Sequence, residues 1–217
     1  MKRILAALLF ALAGCAGGPV PPDWQAGAHA ALRSFSAAYL KGNTRVAAQE
    51  FALARADIAS TARPDLLARA ELLRCALQVA SLEFDDCPGY AALAADDAPP
   101  ERAYAAFLSG RWQDLDATLL PEQHRTLLAR TPDAQTLPSI KEPLSQLVAA
   151  GVLLRTGKLP AEGMAQAAAT ASAQGWRRPL LAWLEVMVKR ADALGEREAA
   201  AAIRRRIAVL TGGAGPR

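Results

Sequence analysis

The sequence predicts an all-α protein, and three observations lead there. Hydrophobic residues fill 52% of the 217 positions, much of that share being alanine, the best helix former. β-Branched residues are sparse and never alternate over a strand length, so the period-two pattern of a sheet is missing. Apolar segments with helical spacing end repeatedly at a glycine, at Gly42, Gly110, Gly157 and Gly195, the place a terminating glycine takes after a helix. The length suits one domain or two small ones packed together, with a core that needs no staples.

Taken in order, residues 16–22 (Ala-Gly-Gly-Pro-Val-Pro-Pro) contain nothing that packs and read as a flexible tether. The helical domain then runs over 23–211. Asp23 is placed to N-cap a helix from Trp24 to Leu40, and Thr44 starts a second that stops before Pro64. The helix from Asp65 to about Leu82 has two apolar stripes. One is Leu66, Ala70, Leu73, Leu77 and Ala80, the other Ala68, Leu72, Cys75, Val79 and Leu82, and such a helix is packed on two sides. Residues 83–89 form a turn, followed by a short helix from Tyr90 to Ala95. Helices follow over Glu101–Ser109, opened by Pro99 and Pro100, over Trp112–Leu120 directly after Gly110, and over Pro121–Arg130, opened by its own proline, a residue suited to a first turn. Thr131–Ser139 has two prolines and no apolar period, so it reads as a loop and a candidate subdomain boundary. Ile140–Thr156, Pro160 to Gly175, the segment around Pro179 up to Gly195, and a last helix through Ala200, Ile203, Ile207 and Leu210 complete the set. Residues 212–217 read as a frayed tail.

At the N-terminus, Lys2 and Arg3 precede an apolar run, Ile4 to Ala13, that closes on Leu12-Ala13-Gly14-Cys15. The run is about half the roughly 20 residues a spanning helix needs, and its order of charge, apolar core and small residues is that of an export signal. The four closing residues resemble the lipobox of bacterial lipoproteins. That resemblance implies cleavage of residues 1–14 and a lipidated Cys15 bearing a diacylglycerol and an N-acyl chain. It implies no other cofactor. Ala16 after the cysteine implies an outer-membrane anchor with the domain facing the periplasm.

Removing Cys15 from the count leaves Cys75 and Cys87. In an oxidising compartment such a pair reads as a disulfide. A helix ending near Leu82 carries the chain about 10 Å past Cys75, and five extended residues can return roughly 16 Å. A helix continuing to Asp86 would hold the two too far apart. The alternative is two buried free thiols.

Helix, glycine, helix recurs, which prompts a test for repeats. After Gly42, the residues Ala47, Phe51 and Ala54 have the spacing of the second helix of a tetratricopeptide repeat, and the chain resembles a divergent form of that family. This implies an array of antiparallel helical hairpins. An irregular helical bundle is the alternative, because Arg204 and Leu115 stand where other hairpins would need a bulky apolar residue and an alanine.

No residue pattern points to catalysis or a metal. His29 and His124 are far apart and lack a ligand partner one turn away. Asp85-Asp86, Asp96-Asp97 and Asp114/Asp116 sit where aspartate caps helices. Neither a serine elbow nor a phosphate-cradling glycine loop occurs. Residues 176–217 carry nine Lys and Arg against four Asp and Glu. The most pointed features there are Trp176-Arg177-Arg178, an aromatic with two cations at a helix corner, and the run Arg204, Arg205 and Arg206. These are the candidate partner-binding residues, since Trp and Arg dominate interface hot spots.

The expected protein is therefore a non-catalytic binding or scaffold lipoprotein. It would meet the membrane through its anchor and another envelope protein through its domain, with no nucleic acid and no evident small-molecule substrate. The rival readings are an enzyme or accessory domain of peptidoglycan turnover, for which Glu71 and Glu185 are the helical carboxylates to inspect, and a structural envelope lipoprotein without a specific partner.

Overall fold

The computed structural model describes residues 21–96, 98–129 and 131–212. Residues 1–20, which hold the expected signal, the lipobox with Cys15 and residues 16–20 of the expected tether, and residues 213–217 of the expected tail lie outside the described residues. Within them the protein is all-helical, with eleven α-helices packed as a bundle and no strand. None of these helices is long and apolar enough to cross a membrane.

Helices α1 (Asp23–Leu40) and α2 (Thr44–Ala59) form a hairpin turned at Gly42, whose φ of 86° only glycine adopts without strain. Next come α3 (Pro64–Ala80), the short α4 (Pro88–Ala91), α5 (Pro99–Leu108), α6 (Glu122–Ala129) and the short α7 (Thr136–Ser139). The chain ends with α8 (Pro143–Arg155), α9 (Gly163–Ala173), α10 (Arg177–Ala193) and α11 (Arg197–Thr211).

The bundle is organised on α3, which touches α1, α2, α4, α5 and α8. Its two apolar stripes serve two cores, as the two-sided pattern predicts. Leu66, Ala70, Leu73 and Leu77 face a smaller core with Phe35, Tyr39 and Phe51 of the α1–α2 hairpin. Ala68, Leu72, Cys75 and Val79 face a larger one with Phe107, Leu147, Val148, Val152 and Trp183. The hairpin residues Ala47, Phe51 and Ala54 are all buried, and the rings of Phe35 and Phe51 stand 4.7 Å apart.

The larger core depends on a close approach of α3 and α8. Gly151 lies against Val79, and a Cβ there would overlap the Val79 carbonyl oxygen. The fully buried Trp183 closes the far end, donating its indole N–H to the carbonyl of Ala80 at 3.2 Å. This ties α10 to the last turn of α3.

Several local expectations are corrected. Pro22, rather than Asp23, occupies the N-cap of α1, and Asp23 is the first helical residue. Trp112–Leu120 is not a helix. Asp114 is left-handed (φ 58°), and Asp116 accepts from the backbone N–H and hydroxyl of Thr118 at 2.9 and 2.7 Å, capping a 3₁₀ turn over Ala117–Leu119. Such side-chain bonds compete with helix propagation. The stretch 131–139 is not wholly loop, since it carries α7, with Leu137 buried in the larger core. Helix α8 begins at Pro143 instead of Ile140, because Glu142 caps it by accepting from the N–H groups of Leu144 and Ser145. Helix α9 begins at Gly163, three residues after Pro160.

Candidate functional site

Cys75 and Cys87 are paired as a disulfide, with Cα atoms 5.7 Å apart. The helix ends at Ala80, Leu82 takes a left-handed conformation (φ 59°), and the chain folds back. Asp85 closes the returning turn by accepting from the Cys87 N–H at 3.0 Å and the Gln78 amide at 2.9 Å. The bridge pins this loop against α3.

The candidate corner at the start of α10 divides into unlike residues. Trp176 is half-buried and packs against both cores. Arg177 is exposed. Arg178 is held inside the fold. Its Nε donates to the Tyr39 carbonyl at 2.9 Å, Nη1 to Glu83 Oε1 at 3.0 Å and Nη2 to Thr44 Oγ1 at 2.7 Å. The guanidinium lies 4.3 Å from the centre of the Tyr39 ring. Tyr39 in turn donates its hydroxyl to Glu83 Oε2 at 2.7 Å, and burial together with that carboxylate pushes its pKa well up. One arginine thus joins α10, the α1–α2 turn and the segment after α3. Beside it opens a cleft of about 610 Å³ that combines Leu82, Leu181 and Val186 with Arg177, Glu185 and Lys189. On α11, Arg204 pairs with Asp192 at 2.5 Å, while Arg205 and Arg206 are exposed; Arg206 borders a small apolar cleft with Leu180, Leu184 and Val209.

A second cleft, of about 510 Å³, has no counterpart in the sequence reading. It lies between α3 (Arg69, Leu72, Leu73), α5 (Pro100, Glu101, Tyr104), the Leu119–Pro121 turn and α8 (Leu144, Ser145, Val148). Its surface is mostly apolar. Glu101, buried at the first turn of α5, accepts from Arg69 Nε at 2.5 Å through Oε1. Its Oε2 is buried and has no hydrogen-bond partner among the described residues. Arg69, more than half exposed, stands at the rim and also borders a smaller cleft with Trp24, His29 and Leu32.

The other buried ionisable groups are engaged in packing. Glu71 is fully buried and ion-paired with Arg55 and, at 2.9 Å, Arg74, whose guanidinium also covers Phe51. A Cβ at Gly89 would overlap the Glu71 carboxylate and the Arg74 guanidinium, so a larger residue there would have to displace that ion pair. Glu185 is exposed. His124 is buried and stacked on Phe107, with ring centres 4.8 Å apart; its Nδ1 has no partner among the described residues. Burial lowers its pKa to about 4, against a smaller opposing pull from Glu142. His29 is exposed and far from it along the chain. Cys75, Cys87 and Asp85 bring possible ligand atoms within 4.8 Å of one another, but the two sulfurs are joined to each other.

No family model, no curated protein and no solved structure matches the chain.

Proposed function

We propose that this chain is a lipid-anchored envelope protein, held by Cys15 on the periplasmic face of the outer membrane, whose helical domain docks another envelope protein without catalysing a reaction. The α1–α2 pair is its tetratricopeptide-like hairpin. The observation that supports docking is the cleft beside Arg178. Four hydrogen-bonding or ring contacts fix that arginine, so the neighbouring surface is preorganised and the cost of ordering it on binding is reduced. Leu181 and Val186 supply an apolar patch, and the exposed Arg177 and Lys189 supply the cations of its rim.

The test has two arms. An alkyne-tagged palmitate fed to cells is expected to label the wild-type protein and not Cys15→Ser; equal labelling or none in both overturns the anchor. Crosslinking in intact envelopes is expected to trap one specific protein with the wild type, and markedly less with the Arg177→Glu, Lys189→Glu double variant. An unchanged yield, or no specific product, overturns docking at this cleft.

A further inference from the structure

The cleft between α3, α5 and α8 presents an apolar wall with one unanswered acceptor. At about 510 Å³ it falls within the range of small-molecule sites, roughly 300–1,000 Å³. Leu72, Leu73, Leu144 and Val148 form the wall. An extended peptide would bring one donor and one acceptor per residue into it, and most would be left without partners at an energetic cost. Ser145, a polar group of the lining along with Tyr104, already receives a hydrogen bond from Gln123 at 3.2 Å. A hydrocarbon chain brings no such groups. The polar end of a ligand is specified just as closely. Glu101 Oε2 is buried without a donor among the described residues, and the Arg69 guanidinium sits beside it at the solvent edge. A matching head group has a donor and an acidic oxygen close together.

We propose that this cleft binds a single-chain amphiphile whose hydrocarbon lies against Leu72, Leu73 and Val148, whose head-group N–H or O–H donates to Glu101 Oε2, and whose acidic oxygen meets Arg69. The site is separate from the Arg178 cleft, so it stands or falls independently of protein docking.

The test is isothermal titration of the purified chain, below the micelle concentration, with N-dodecanoylglycine and N-dodecanoylsarcosine. The two share chain and carboxylate, but the second has a methyl group in place of the amide hydrogen. The expected result is saturable one-to-one binding of the glycine form and binding of the sarcosine form weaker by about tenfold or more, the scale of a lost hydrogen bond to a charged group. Leu144→Trp, which fills the cleft from a half-exposed position, is expected to abolish binding while a cooperative melt shows that it folds. Leu73→Trp replaces it if it does not fold. Absence of saturable binding to the wild type overturns the proposal, as does unchanged affinity in a folded cleft-filling variant. Equal affinity for the two amphiphiles overturns the assignment of Glu101.

Discussion

The two cores that flank α3 are built from different distances along the chain. The smaller one is made chiefly by α1, α2 and α3, three consecutive helices, and its centre is a pair of phenylalanines from one hairpin. The larger one gathers every helix from α3 to α10, and the indole bond that closes it spans 103 residues. The first core satisfies its hydrophobic faces between neighbours. The second exists only once remote segments meet. Helix α3 belongs to both, so the difference teaches that one interior helix can couple a local unit to a non-local one.

That coupling is the first thing to break. Trp183→Ala leaves a cavity in the larger core and the Ala80 carbonyl without its donor, and is expected to cost about 3–5 kcal/mol. Phe51→Ala, in the smaller core, is expected to cost about 3 kcal/mol. Urea unfolding followed by far-ultraviolet circular dichroism should show one transition in both variants, shifted to lower urea. A separate early step in Phe51→Ala would mean that the hairpin core unfolds alone and that α3 does not couple the two.

Next in size is the bridge, which staples only the larger-core side of α3. The Cys75→Ser, Cys87→Ser double variant is expected to lose about 2–4 kcal/mol, for a loop of this length in the chain-entropy account. The check is the urea midpoint, together with thiol labelling of the native wild type. Two freely labelled thiols would remove the bridge and with it this asymmetry.

The smallest effect over any one pH unit belongs to His124, also on the larger-core side. Its folded pKa of about 4 lies below the ordinary value of 6.5, so the unfolded chain binds more protons between those limits. Its contribution is complete above pH 6.5 and is lost as pH falls towards 4, by roughly 1.4 kcal/mol for each unit once the unfolded imidazole is protonated. His124→Leu should flatten this part of the stability–pH curve. An unchanged slope would place the sensitivity elsewhere.

The same contrast explains which features were legible in the sequence. The two stripes of α3 and the turn at Gly42 are local patterns, and both reappear as packing. The segment 112–120 misled because its apolar residues have helical spacing, while Asp114 and Asp116 set the backbone by local hydrogen bonds that periodicity does not register. Pro143 carried the same first-turn signal as Pro99, yet the apolar Ile140 before it suggested an earlier start. The 510 Å³ cleft could not be read at all. Its walls come from separate segments, and Glu101 looks in sequence like an acidic residue suited to a helix N-terminus. Arg178 shows the opposite limit, since sequence marks it as a cation at a corner but not that three elements of the fold already occupy it.

Gly151 bears on the order of assembly. The contact it makes with Val79 joins residues 72 positions apart, so the larger-core face of α3 is only partly covered, by α4 and α5, while a chain made from its N-terminus has not yet reached α8. The α1–α2 hairpin has its partners early, whereas the bundle becomes a closed object only late. Long-range contacts of this kind slow folding, and here the delay falls on the helix at the centre.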